Sequence, residues 1–162
     1  MKIFIGSDHA GFQQKKHLIQ VLQDMNYQVV DKGAFRENSD DDYPDFCALV
    51  AEEVSKDEDS RGILIGGSGQ GEAMVANKYP NIRAVVFNGQ YKPTDGRFVP
   101  EEIMIARQHS DSNILSLGAR FLSNTEAVRA VTLWLVTPFS GDERHVRRIK
   151  KIKKIEQKIC QK

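Results

Sequence analysis

Ile63-Leu64-Ile65-Gly66-Gly67-Ser68-Gly69-Gln70-Gly71-Glu72-Ala73-Met74-Val75-Ala76-Asn77-Lys78 decides the fold. An apolar run, Ile63 to Ile65, has the length and character of a buried strand. It breaks into four glycines between Gly66 and Gly71, and the chain then restarts with helical character, Glu72 lying in the first turn. A strand that turns through glycines into a helix leaves backbone N–H groups directed at one spot, which suits an anion. Four glycines in six residues exceed what a tight turn needs. Neither nucleotide pattern fits. A G-x-G-x-x-G fingerprint starting at Gly67 ends on Glu72, and one starting at Gly69 ends on Met74. A G-x-x-x-x-G-K-[ST] loop matches Gly66 and Gly71 but then meets Glu72 where lysine is required.

Outward from this stretch, strand and helix patterns alternate. Residues 2–6 read as a first strand, followed at once by Ser7-Asp8-His9-Ala10-Gly11. Phe12, Leu18, Ile19, Leu22 and Met25 form a helical apolar face. Gln28 to Asp31 reads as strand two, and residues 36–45 as an acidic loop. Pro44 suits the first position of a helix that buries Phe46, Cys47, Val50 and Val54. Pro80 is expected to stop the helix that follows the glycines, and Ile82 to Phe87 to form strand four. Residues 88–101 contain Gly89, Pro93, Gly96 and Pro100 and read as a long loop, a candidate lid. A short helix over about 101–108 ends near His109, and residues 113–117 form strand five. Ser123 and Glu126 have capping-box spacing, and residues 143–160 make a basic final helix.

This alternation implies a three-layer α/β/α sandwich around a five-stranded parallel, Rossmann-like sheet, in one domain over 1–162. Ligands of such sheets bind beyond the carboxyl ends of the strands, where Asp8-His9, the glycine loop and Arg120 should meet.

Bulk properties exclude little but point one way. The net charge of +1 predicts neither a nucleic-acid nor a membrane partner. No apolar run reaches transmembrane length, and the N-terminus lacks a signal-peptide pattern. Cys47 and Cys160 make neither a disulfide framework nor a zinc motif, so a cytoplasmic protein is the economical reading. No metal site emerges, because the histidines lack ligand spacing and Asp40-Asp41-Asp42 lacks the glycine and glutamate of a calcium loop. No cofactor is implied.

Each polar candidate has two readings. Glu72 in a first helical turn complements the helix dipole, worth about 0.3–1 kcal/mol. Alternatively it abstracts a proton from a carbon next to a carbonyl while nearby N–H groups stabilise the oxyanion. His109 closes a helix, where an imidazolium is favoured in any case; His17 reads as structural. Arg144 and Arg148 share one helical face and suit a phosphate. Six basic residues among Arg147 to Lys154 fit a solvated helix better than a nucleic-acid site. The narrow stripe of Val146, Ile149, Ile152, Ile155 and Ile159 suits packing on another subunit.

Taken together the motifs resemble one family, the type B ribose-5-phosphate and galactose-6-phosphate isomerases. The matching pieces are Gly6 to Phe12, Asp42-Tyr43-Pro44, Gly66 to Lys78, Ile82-Arg83-Ala84, Arg107-Gln108-His109, Leu117 to Arg120 and Arg144 to Arg148. The resemblance implies metal-free interconversion of aldose and ketose sugar phosphates through an enediolate. It also implies a homodimer, or a tetramer, with active sites at the subunit interface. By the same resemblance Asp8 and His109 assist ring opening, and Glu72 moves the proton between C1 and C2. Ser68 and the N–H groups around Gly67, Gly69 and Gly71 steady the enediolate, and Tyr43 lines the sugar pocket. His9, Arg120, Arg144 and Arg148 hold the phosphate, the last two from the partner.

Two departures bear on chemistry. Many members carry a cysteine base where this chain has Gly66, which leaves the role to Glu72. The family's usual asparagine after the histidine is Ser110 here, which keeps a six-carbon sugar 6-phosphate open as substrate. A sugar-phosphate sensor without turnover would need only the clamp, and the retention of Asp8, Glu72 and His109 speaks against it.

Overall fold

The computed structural model describes residues 1–90 and 101–160, with the side chain of Cys160 outside the description. Five strands form the sheet: β1 (Lys2–Ser7), β2 (Gln28–Asp31), β3 (Arg61–Gly66), β4 (Ala84–Phe87) and β5 (Ile114–Gly118). They pair in the order β2-β1-β3-β5-β4, and every pairing is parallel. Among the described residues six α-helices connect or follow them: α1 (Phe12–Asp24), α2 (Tyr43–Lys56), α3 (Gln70–Ala76), α4 (Glu102–Ser110), α5 (Asn124–Val136) and α6 (Glu143–Cys160).

Alternation along the strands sorts the core into two layers. Ile3, Ile5, Ile63, Ile65, Leu115 and Leu117 point to one face, where they meet Leu18 and Leu22 of α1, Ile103 of α4 and Val131 and Trp134 of α5. Phe4, Leu64 and Ile114 point to the other and meet Cys47, Val50 and Val54 of α2 and Ala76 of α3. Both faces are covered, which is why these strands read as continuous apolar runs. Full burial of each such side chain is worth about 1.5–3 kcal/mol. Trp134 is wholly buried because its Nε1–H finds Ser112 Oγ at 2.8 Å.

The capping box of α5 forms as its spacing predicts. Ser123 Oγ accepts from Glu126 N at 3.3 Å, and Glu126 Oε2 accepts from Ser123 N at 2.8 Å. Other expectations shift. Met25 is not on the buried face of α1 but follows it as an exposed C-cap. Asn26, at φ 64°, then turns the chain out of the helix. α3 ends at Ala76, ahead of Pro80, and β4 starts at Ala84, with Asn81 at φ 62° between them. Tyr43 precedes Pro44 in the first turn of α2. Most of the expected loop at 88–101 lies outside the described residues.

Two buried cations fix the segments that carry the site. Lys15 is wholly buried and donates to Asp31 Oδ1 at 2.6 Å and to Ala34 O at 2.7 Å, which ties the chain after β2 to α1. Arg107 clamps the end of α4, donating to Asp111 Oδ1 at 2.8 Å, Ser112 O at 2.5 Å and Thr137 O at 3.2 Å. Removing either carboxylate would leave a buried cation short of a partner, a loss smaller than the roughly 3–5 kcal/mol of a fully buried pair because Asp31 and Asp111 are 32% and 31% exposed.

Candidate active site

The strand order reverses between β1 and β3, and the crevice at their carboxyl ends is where a doubly wound sheet binds ligands. There, Asp8, His9, Tyr43, Gly67, Ser68, Gly71, Glu72 and Arg120 line one open depression of about 380 Å³. Phe121 borders it as well, although its side chain is 62% exposed. The sequence separates Asp8 from Arg120 by 112 positions; parallel strands bring their ends to one edge.

The floor is the glycine loop, and its carbonyls are all turned one way. Gly66 O accepts from Ala119 N at 2.8 Å and Gly67 O from Arg120 N at 3.2 Å. Ser68 O accepts from Asn88 Nδ2 at 2.9 Å and Gly69 O from Ser116 Oγ at 2.7 Å. In a trans peptide the N–H points opposite to the C=O. Tethering these carbonyls towards β5 and Asn88 therefore turns the N–H groups of Gly67, Ser68 and Gly69 to the other side, while Gln70 N donates to Ser68 Oγ at 3.4 Å. Gly69 takes φ 73°, a left-handed conformation that suits glycine. Gly71 leaves room for the Tyr43 ring, whose Cζ would lie 2.6 Å from an added Cβ.

Glu72 is 4% exposed, although charged side chains at such depth are rare. Burial raises its carboxyl above the usual range, and the nearby charge of Asp8 pushes the same way. A glycine at position 66 is what lets it in: a Cβ there would coincide with Glu72 Oε1. Asp8, 7% exposed, caps a short 3-10 turn over His9–Gly11, accepting from Ala10 N at 3.0 Å and Gly11 N at 3.2 Å. Cys47, buried below, has its thiol pushed above the ordinary range by desolvation first and then by Glu72 and Asp8, so it is an inert filler.

Two contributors escape a reading of the sequence. Asp41 accepts from both the backbone N–H and Nδ1 of His9, at 3.0 and 2.7 Å. It sits within a run of three aspartates, and nothing in the sequence separates it from its neighbours. Asn88, which holds Ser68, follows β4 directly; its place at a strand's carboxyl end was the available signal.

Five of the residues singled out do not line this depression: Gly69 turns beneath it, and the other four lie elsewhere. His109 and Ser110 lie in the last turn of α4, and Arg144 and Arg148 are exposed on α6. His109 stacks on His145 with ring centroids 4.1 Å apart, and His145 Nδ1 is 2.8 Å from Ser140 Oγ. Burial and the neighbouring His109 lower the His145 imidazole below its ordinary value. Within one chain, then, the floor that carries Glu72 and this cluster on α4 and α6 are two separate surfaces.

Chemically, the depression pairs a buried carboxylate with preorganised N–H donors, the combination that removes a proton from carbon and stabilises the oxyanion that forms. Among the described residues no three His, Cys, Asp or Glu side chains cluster to hold a metal ion, and no helix is long and apolar enough to cross a membrane.

Known proteins agree with this architecture. The sequence profile described as Ribose/Galactose Isomerase matches residues 3–152. Ribose-5-phosphate isomerase B of Mycolicibacterium paratuberculosis is 38% identical over 149 residues, 92% of this chain and 87% of that protein. The Escherichia coli K12 protein of the same name is 36% identical over 157 residues, 97% of each. Among solved structures, ribose-5-phosphate isomerase B from Mycoplasma genitalium with bound ribulose-5-phosphate superposes with a TM-score of 0.87 at 38% identity, covering 96% of both chains. A strand edge with a buried glutamate above a glycine loop, a matching profile over nearly the whole chain and relatives of this identity lead to one conclusion: the chain belongs to the Ribose/Galactose Isomerase family.

Proposed function

We propose that this protein is an aldose–ketose isomerase that interconverts ribose 5-phosphate and ribulose 5-phosphate through an enediolate. The observation that carries the reading is the buried Glu72 carboxylate over the glycine loop, at the edge where β1 and β3 part. The relative with bound ribulose-5-phosphate shares this fold. Asp8, together with His109, assists opening of the sugar ring. Glu72 removes the proton from C2 of the open aldose and returns it to C1. Ser68 and the loop N–H groups at Gly67, Gly69 and Gly71 hold the oxyanion, while Tyr43 covers the sugar. None of these steps draws on a metal or cofactor.

The phosphate is held by His9 and Arg120 of one chain and by Arg144 and Arg148 of a second copy, which also supplies His109 and Ser110. Two features support a homodimer. Ile155 and Ile159 of α6 are 59% and 68% exposed, and they continue a stripe whose Ile152, 53% exposed, borders a depression with Val54 and Ile82. Charge is also complementary: residues 143–160 hold eight basic and two acidic residues, and residues 36–59 hold ten acidic and two basic.

Purified protein should convert ribose 5-phosphate to ribulose 5-phosphate at an unchanged rate after treatment with a chelator. Failure to turn over ribose 5-phosphate while allose or galactose 6-phosphate is isomerised would favour the second reading, a hexose phosphate isomerase. Ser110, smaller than the asparagine usual in the family, supports that alternative. Arg148→Ala should raise KM by about ten- to a hundredfold, the scale of one hydrogen bond to a charged group. Unchanged KM would remove Arg148 from the phosphate clamp.

A further inference from the structure

Of the three consecutive aspartates before α2, one behaves differently. Asp40 and Asp42 are exposed, whereas the Asp41 side chain is only 8% exposed and faces His9. Its Oδ1 accepts from the His9 backbone N–H at 3.0 Å and from Nδ1 at 2.7 Å. Its Oδ2 is buried and has no hydrogen-bond partner among the described residues, so His9 is the group this charge serves. The segment that presents Asp41 is anchored ahead of it and braced locally. Ala34 N donates to Ser7 O at 2.7 Å, Lys15 Nζ donates to Ala34 O at 2.7 Å, and Asp41 N donates to Asn38 O at 3.1 Å.

We propose that Asp41 is a positioning residue for the substrate phosphate: it holds the His9 ring by Nδ1 and leaves Nε2, on the ring's far edge, for a phosphate oxygen. This rests on the reading of His9 as a phosphate ligand. A carboxylate only accepts, so Nδ1 must carry a proton. Nε2 is then either a bare lone pair, which repels phosphate, or the second N–H of an imidazolium, which binds it. Binding therefore needs the cation.

The charged groups facing His9 are Asp41 from the loop before α2, Asp8 from the end of β1 and Arg120 from beyond β5. The hydrogen bond to Asp41 is the largest influence and raises the imidazole above its ordinary value; Asp8 adds to this, and burial and Arg120 oppose it. A raised value means the cation persists to higher pH and is lost as pH climbs through it. Removing the Asp41 charge moves that loss to lower pH.

Asp41→Asn keeps the shape and removes the charge. In histidine-labelled free enzyme, NMR should show His9 titrating at lower pH in the variant than in the wild type. KM for ribose 5-phosphate should rise roughly three- to tenfold at about pH 8 and much less at about pH 6, with kcat within about twofold. A residue that merely braced the loop would lower the melting temperature without this pH-dependent split. Unchanged His9 titration would overturn the inference and leave the phosphate reading standing. A lowered titration with a KM profile like that of wild type would instead remove His9 as a phosphate ligand, and the inference with it. Asp41→Ser, which retains an acceptor without charge, gives the same readouts if the amide disturbs the loop.

Discussion

Glu72→Gln should lower kcat by about 10²–10⁴, the scale of a general base, with KM for ribose 5-phosphate nearly unchanged. The amide fills the same volume beside Asp8 and over the glycine loop but cannot take a proton. The pH behaviour of the wild type provides a second test. Burial, reinforced by Asp8, holds the Glu72 carboxyl above the ordinary value of 4.5. The working base is the ionised form, so kcat/KM should rise with pH through this raised value, and Asp8→Asn should move that limb to lower pH. Stability runs the other way. A carboxyl whose folded value lies above its unfolded one favours folding most at low pH, and that contribution is lost as pH rises through the folded value. Glu72→Gln should therefore melt above the wild type at neutral pH, and the gap should close as pH falls below about 4.5. Turnover within tenfold of wild type would take the base role away from Glu72. An inactive enzyme that is more stable than its parent is the signature of a group strained for chemistry.

The sequence shows the parts of this site better than their assembly. Apolar runs at Ile3-Phe4-Ile5 and Ile63-Leu64-Ile65 mark central strands because both faces of the sheet are covered, and the polar residues after each run lie on the functional edge. Strand order is less visible: β5 inserts between β3 and β4, and local pattern carries no record of which strands pair. Boundaries moved where side chains, not periodicity, decide them, as at Asn26 and Asn81, both at positive φ. Asp41 and Asn88 act through single hydrogen bonds or pairs of them across long sequence distances, for which there is no periodic signal. Arg144 and Arg148 are legible as a pair on one helical face, but they do not reach the depression of their own chain.

Gly66 makes the room that Glu72 occupies, so on the proposed base role of Glu72, Gly66→Ala should cost about as much turnover as removing the carboxylate itself, roughly 10² or more. The backbone would not object. Gly66 pairs with Gly118 at the end of the β3–β5 ladder and is not among the glycines at positive φ. The conflict is with one side chain: the added Cβ would coincide with Glu72 Oε1 and crowd its Cδ and Cγ. A glutamate is flexible, so it should swing out, and the melting temperature should change little while the base leaves its place. Because the loss acts through Glu72, Gly66→Ala combined with Glu72→Gln should be no slower than Glu72→Gln alone. Additive losses would show that Gly66 serves the loop in some other way, and turnover within threefold of wild type would show that the carboxylate need not sit there. The same volume argument gives the resemblance a physical form. Where many relatives place a cysteine at this position, its side chain would occupy the space that Glu72 fills here, so one position of the sheet edge holds either a thiolate or this carboxylate, not both.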